Sequence, residues 1–244
     1  MSTGSGHDAY SAQLRHGKVV HSLGRRIVRG SLLPGVSIPV EADMADELGL
    51  GRSAVRDGMK VLAGKGLLES RASAGTVVRP RQSWNLLDPD VLRWRFSEPV
   101  GASDLRIIAD LRVALEPGAA RLAAESRSAD GLRQVEEALA ALWANTHDVD
   151  AFVEADLAFH RAVFIASGND LLLYVHDMVG VAMGEVRSIH SQSMQHNVET
   201  LPVHERVAMA IRRRHHKKAE EAMREVVEVA RRDINAIAIE KENN

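Results

Sequence analysis

Over residues 18–29, apolar side chains fall at Val19, Val20, Leu23, Ile27 and Val28, the three-and-four spacing of one face of an amphipathic helix. Gly30 follows, and Leu33-Pro34-Gly35 predicts a turn. A second helix is predicted over about 40–48, with Met44, Ala45 and Leu48 on one face and Gly49 ending it. A third begins after Gly51, with Ser53 as its cap, Val55, Met59 and Leu62 inward, and Gly64 and Gly66 closing it. The segments 67–70 and 76–78 predict two short strands around a turn containing Ala74-Gly75. Helix, helix, turn, helix and hairpin in this order outline a winged helix-turn-helix over residues 15–80.

Residues 1–14 are small and polar, which predicts a flexible tail. The stretch 79–99 holds three of the seven prolines and two of the three tryptophans, so residues 81–100 read as a linker with a short helix, anchored by its aromatics. Strand signals then vanish. Helices are expected at 104–125, 129–144, 148–166, 170–190, 199–213 and 216–239, and six helices with short breaks predict an all-α antiparallel bundle over 101–244. The fold class is mainly α.

Composition narrows the function. The 244 residues include no cysteine, which excludes disulfides, thiol nucleophiles and cysteine-containing zinc fingers. The opening residues lack the charged and apolar regions of a signal peptide, and no apolar run approaches the ~18 residues that span a bilayer, so a cytoplasmic protein is expected. Charge is uneven. Residues 1–80 carry 11 Lys/Arg against 7 Asp/Glu, a net of +4, and residues 81–244 carry 20 against 26, a net of -6. A basic front segment on an acidic body suits a polyanionic partner. Aromatics at 4% argue against single-stranded nucleic acid bound by base stacking.

Three groups of residues carry candidate chemistry. The third helix begins Gly51-Arg52-Ser53-Ala54-Val55-Arg56, and Arg52 and Arg56 share an exposed face opposite Val55 and Met59. In a helix-turn-helix that face meets the major groove, where arginine reads guanine; the plainer alternative is a solvated pair. In EADLAFH at 154–160, Asp156 and His160 lie four apart on one helical face, and His204 opens a later helix. One carboxylate and two imidazoles on facing helices suit a divalent metal such as Zn, Ni or Mn, against the simpler alternative of an intrahelical hydrogen bond. Arg112 lies beside Ile108 and Leu115 on a stripe continued by Leu111, Ala119 and Leu122. A guanidinium facing a core needs an anion, either Glu116 one turn on or an anionic ligand. His190 is a further candidate for the effector, and the run RRRHHKK at 212–218 reads as a solvated interhelical loop.

At these residues the chain resembles GntR-family transcription regulators of the FadR type with a C-terminal FCD domain. The resemblance rests on LPGVSIPVEADMADELGLGRSAVRDGMKVLAGKGLLESRASAGTVV for the DNA-binding half, and on ADLAFHRAVFIASGN and HERVAMAI for the FCD half. The linker SWNLLDPDVLRW is similar to that of galactonate-operon repressors, a sugar-acid-responsive branch. The resemblance implies DNA reading by Arg52 and Arg56, a phosphate contact from Ser53, and metal ligation by Asp156, His160 and His204. Family members often supply a further histidine from the last helix, where this chain has Val226. Ala42 stands where a relative has arginine, and Ser73 replaces a common wing glycine.

The expected protein is a homodimeric, ligand-responsive repressor that binds double-stranded operator DNA and is released by a carboxylate, sugar-acid effector held by Arg112 and His190. The alternative is a small metalloenzyme built on Asp156, His160 and His204. Glu154 and Glu205 both project away from that site, which leaves it without a dedicated base.

Overall fold

The structure, a computed structural model, describes residues 14–97, 100–190 and 194–243. The expected flexible tail at 1–14 lies outside the described residues except for Leu14. The chain divides into two compact units, the second beginning at Glu98.

In the first unit, α1 (Arg15–Val28), α2 (Glu41–Leu48) and α3 (Arg52–Gly64) precede a hairpin of β1 (Leu68–Arg71) and β2 (Gly75–Val78). The predicted apolar faces meet: Val19, Val20, Leu23 and Ile27 of α1 pack with Met44, Ala45, Val55 and Leu62 in one buried cluster. Gly49 ends α2 in the left-handed conformation at φ 64°, which glycine adopts without the Cβ clash other residues meet. The hairpin is antiparallel, with Leu68 opposite Val78 and Arg71 opposite Gly75. Its edge carries more than the sequence predicts. Ile38 N donates to Thr76 O at 2.8 Å and Val78 N to Val36 O at 3.0 Å, so the stretch after the Pro34-Gly35 turn lies along β2.

Two expectations change here. The cap of α3 is Gly51, without a side-chain hydrogen bond, and Ser53 sits inside the first turn. That leaves the Ser53 hydroxyl exposed and uncommitted to capping. The expected linker carries a 3-10 turn (Arg81–Ser83) and α4 (Pro89–Phe96). Asp88 caps α4, accepting from Asp90 N at 3.0 Å and Val91 N at 3.3 Å, a bond worth about 1 kcal/mol. Trp84, Val91 and Trp94 join the first unit's core. A Cβ built on Gly24 would lie 2.4 Å from the Trp94 ring, so α1 needs glycine where the indole crosses it. Lys65 ties α3 to α4 through Asp88 at 2.9 Å and Asp90 at 2.7 Å. Burial by itself would lower the Lys65 pKa, but the hydrogen bonds it donates to Asp90 and Asp88 raise it.

The second unit is helical: α5 (Ala102–Ser126), α6 (Ala129–Ala144), α7 (Val149–Ala166), α8 (Asp170–His190), α9 (Met194–Arg212) and α10 (His216–Asn243). Ser128 caps α6 through Gly131 N at 3.0 Å, and Asp148 caps α7 through Ala151 N at 3.0 Å. The core is alanine-rich, with Ala119, Ala120, Ala123 and Ala124 of α5 buried in the same cluster as Met223, Val226 and Val227 of α10. Small side chains let the helices approach closely, and this displaces the predicted stripe. Leu111, Leu115 and Leu122 are only half-buried, and the buried face of α5 is centred on Arg112, Glu116 and the alanines. α9 begins at Met194, ahead of the predicted 199, which puts Pro202 inside it on the exposed side.

Candidate functional sites

The α3 face carries Arg52, Ser53 and Arg56, all exposed, while Val55, Gly58 and Leu62 turn inward. The helix-turn-helix packing dictates this division, because α3 can seat against α1 only by its apolar side. Arg56 is not a free cation. Its Nε and Nη2 donate to the Glu41 carboxylate at 3.1 and 3.0 Å, a two-pronged pair between α3 and the first turn of α2. The hydrogen bond to Arg56 lowers the Glu41 pKa, and the reciprocal bond raises that of Arg56. Arg52, among the described residues, makes no hydrogen bond or ion pair. Glu41 was missed in the sequence reading, because its partner lies fifteen residues along the chain and on another helix.

The second constellation lies inside the helical unit, where Asp156 and His160 of α7 and His204 of α9 come together, all buried. His204 Nε2 is 3.1 Å from Asp156 Oδ1, and His160 Nε2 is 3.6 Å from the same oxygen. The other ring nitrogens face different neighbours. His204 Nδ1 donates to the Thr200 carbonyl oxygen at 2.9 Å, which directs Nε2 inward. His160 Nδ1 lies in close contact with Glu116 Oε2, without hydrogen-bond geometry. His160 Nε2 has no hydrogen-bond partner. A buried acceptor nitrogen left over beside a carboxylate and a second imidazole is the donor set expected around a divalent ion. The residues present therefore fit a metal.

Arg112 is 3% exposed and its Nε donates to Glu116 Oε1 at 2.7 Å, so the one-turn partner is in place. Arg112 also lines a cavity of about 20 Å³ with Asp156, His160, His204, Asn197 and Thr200, against an apolar wall of Phe152, Val226, Val229 and Ala230. The guanidinium is thus bound to Glu116 and presented to the cavity at once. Val226 takes the wall position where family members often place a histidine. Asn197, 1% exposed, and Thr200 went unnoticed in the sequence. The helix was predicted to start at 199, which hid the two-turn spacing from Asn197 to His204 on one face. The His190 side chain lies outside the described residues.

Two other features are structural. His176 is buried beside Phe164, its ring centroid 4.5 Å from the phenyl, and burial holds its pKa below the usual range. The run 212–218 is not wholly solvated. Arg214, at φ 57°, donates to the Glu125 carbonyl at 3.0 Å, while Arg127 donates to those of Ile211 at 3.2 Å and Arg212 at 2.9 Å. These arginines cap the ends of α5 and α9 reciprocally. Among the described residues no helix is long and apolar enough to cross a membrane.

The comparisons agree with this geometry. Residues 16–78 match the family of bacterial regulatory proteins called gntR, and residues 107–229 match the FCD domain. The chain is 36% identical over 155 residues to the galactonate operon transcriptional repressor of Escherichia coli K12, covering 64% of this chain and 68% of that protein. It is 30% identical over 208 residues to the transcriptional regulator LutR of Bacillus subtilis, covering 81% and 90%. The solved structure of a Streptococcus agalactiae GntR shares the fold at a TM-score of 0.50, with 22% identity over 89% of this chain and 99% of that one. An exposed recognition helix, a hairpin wing and a helical domain with a buried polar cavity thus coincide with both family matches, and the chain belongs to the gntR family of ligand-responsive transcription regulators with a C-terminal FCD domain.

Proposed function

We propose that the protein is a homodimeric cytoplasmic repressor of a sugar-acid catabolic operon, released from its operator by a carboxylate effector. Arg52 and Arg56 read base edges and Ser53 contacts phosphate. Two copies are needed because one recognition helix covers too few base pairs, so the operator is a short inverted repeat. Asp156, His160 and His204 hold a divalent transition metal, Zn, Ni or Mn. The observation that carries this reading is the buried cavity in which these three ligands face Arg112. The name of the E. coli galactonate operon repressor supports the sugar-acid class.

A metal in this position supplies open coordination sites for an acid's carboxylate and neighbouring hydroxyl. Arg112 neutralises the carboxylate in a two-pronged manner, and Asn197 and Thr200 offer polar groups to the hydroxyls. His190 is assigned to the same hydroxyl chain on its sequence position. Release from the operator follows when the effector prefers the DNA-incompetent arrangement, since equal affinity for both shifts nothing. The metalloenzyme alternative gains no support. Glu154 and Glu205 are both exposed, and Asp156 is the sole carboxylate among the described residues lining the cavity.

The test is a gel-shift titration of duplex from the gene's own upstream region with a panel of aldonates, using Zn-loaded and chelator-treated protein. Metal-dependent release by one aldonate is expected. Specific binding that no sugar acid relieves, in either metal state, would refute the effector reading.

A further inference from the structure

The exposed face of α3 holds its two arginines differently. Arg52, among the described residues, makes no hydrogen bond or ion pair. Arg56, one turn on, gives Nε and Nη2 to the Glu41 carboxylate at 3.1 and 3.0 Å. Glu41 opens α2, whose Met44 and Ala45 are buried in the first unit's core, so the carboxylate stands on a fixed element. We propose that Glu41 is a positioning and specificity-determining residue of the DNA face: it presents Arg56 to one guanine and withholds the arginine's charge from the phosphates of unrelated sequence. The inference rests on the base-reading role assigned to Arg56 under Proposed function.

The presenting half follows from which edge of the guanidinium is used. The Nε–Nη2 edge is taken by Glu41, and Nη1 makes no hydrogen bond among the described residues. That leaves the Nη1–Nη2 edge, a two-donor fork that matches the O6 and N7 acceptors of guanine. A long side chain gives up rotamer freedom when it settles on a base, and one already clamped at its other edge gives up less. The clamp also keeps the fork from swinging to a neighbouring acceptor when the base is wrong. Adenine presents a donor at N6 where guanine presents O6, so the held fork meets a mismatch there.

The withholding half follows from charge. Binding to unrelated sequence is carried by cations that displace counterions from phosphate. The Arg56 side chain is 59% exposed and that of Glu41 34%, so in water their pair adds little stability. Its effect is felt when a duplex closes over it. The carboxylate joined to the guanidinium offsets the attraction of Arg56 to any phosphate and itself repels phosphate, whereas a neutral guanine edge meets no such repulsion. Arg52 and Lys60 also act on Glu41, through space and without a hydrogen bond, and Lys60 has its own partner in Asp57 at 3.3 Å. The pair therefore favours a base edge over the backbone.

The full-length protein is tested by fluorescence anisotropy on a duplex that the wild type selects from a random pool, on that duplex with each base pair replaced in turn, and on random duplex, each over a salt series. Arg56→Ala should remove the preference for one base pair in each half-site. Glu41→Ala should weaken the preference at that same base pair by about 5–100-fold and leave the other positions within about twofold. It should also tighten binding to random duplex and steepen its salt dependence by about one unit of slope per recognition helix. In the Arg56→Ala background, Glu41→Ala should cause no further loss of base preference. Glu41→Gln keeps an acceptor without the charge, so it should retain part of the preference and still bind random duplex more tightly than wild type. Circular dichroism establishes that each variant is folded, and Glu41→Gln decides the matter if Glu41→Ala is not. The inference is overturned if folded Glu41→Ala keeps the wild-type preference at the Arg56 position, if it weakens selected and random duplexes by the same factor as a merely structural role would, or if Glu41→Gln binds random duplex no more tightly than wild type. Wild type that selects no sequence, or Arg56→Ala that keeps every base preference, would instead remove the base-reading assignment, and this inference with it.

Discussion

Replacing Arg112 with alanine tests whether the buried ion pair governs the helical unit. Arg112 is 3% exposed and Glu116 0%, and their side chains meet at 2.7 Å within one helix. Truncating the arginine removes the guanidinium from a carboxylate that water cannot reach, and breaking a buried pair by removing one partner costs about 3–5 kcal/mol. It far exceeds the few tenths of a kcal/mol of an exposed pair at the same spacing. For a unit spanning residues 98–244, that loss lowers the melting midpoint by roughly 6–20 °C.

Calorimetry on the full chain, with chelator present so that metal binding does not mask the loss, resolves the helical unit's transition. The double variant Arg112→Met/Glu116→Gln should lose less than the two singles together, with a coupling of about 1–3 kcal/mol. A midpoint for Arg112→Ala within about 3 °C of wild type would mean that the other contacts of Glu116 suffice to hold it and would refute the reasoning. The same result bears on effector assays. A failure of Arg112→Ala to respond to acid counts as lost recognition only at temperatures where the variant remains folded.

Arg52→Ala should weaken binding to the specific operator by about 1–3 kcal/mol and relax base preference nearby, read by gel shift against random duplex; equal binding of both duplexes by wild type and variant would refute the assignment of α3. Val226→His should add a fourth ligand from the cavity wall, tightening Zn(II) binding in chelator competition while weakening acid binding in calorimetry. Because burial lowers the His176 pKa in the folded state, its neutral form is favoured and folding binds fewer protons; stability is therefore full above the unfolded value near ~6.5 and falls as pH drops below it. His176→Asn should flatten that acid limb in urea melts. Gly24→Ala should destabilise the first unit despite alanine's better helix propensity, because the new Cβ meets the Trp94 ring at 2.4 Å; a raised midpoint would refute it.

The periodicity located nearly every helix because each buries a continuous stripe of Val, Leu, Ile or Ala, and a stripe is visible in one sequence. What it missed depends on partners. Gly51 caps α3 in place of Ser53 because the helix begins two residues earlier than the serine suggests. The edge formed by Val36 and Ile38 consists of backbone bonds to β2, which no side-chain pattern announces. The onset of α9 was misplaced because Pro202 resembles a start signal, although an exposed proline can be borne inside a helix whose buried face is held by Asn197, Leu201 and His204. At the Asp156, His160 and His204 cluster the sequence named all three side chains, since the i,i+4 pair and the later histidine have distinctive chemistry. Their second contacts, Glu116 and the Thr200 carbonyl, were not assigned to them. Glu41 shows the same limit at the DNA face: a guanidinium can be placed on a surface from its spacing, but the carboxylate that orients it comes from another helix.

The cavity's size constrains how the effector can act. A volume of about 20 Å³ suffices for one water or an ion, for which ~10–15 Å³ is the lower bound. Sites for small organic ligands run to about 300–1,000 Å³. The arrangement described here is therefore a closed one, and a sugar acid can reach Arg112 and the imidazoles only in a wider form. The wall that must yield is formed by Asn197 and Thr200 of α9 and by Val226, Val229 and Ala230 of α10, since Arg112, Asp156 and His160 are held in place by Glu116 and the buried faces of α5 and α7. On the proposed sugar-acid reading, the effector binds the wider form and leaves the closed one empty, which is the differential affinity a population shift requires. If operator DNA favours the closed form, it must weaken acid binding by the factor by which acid weakens DNA binding. A site preformed at full size would bind the acid equally in both states, and the acid would not release the repressor however tightly it bound.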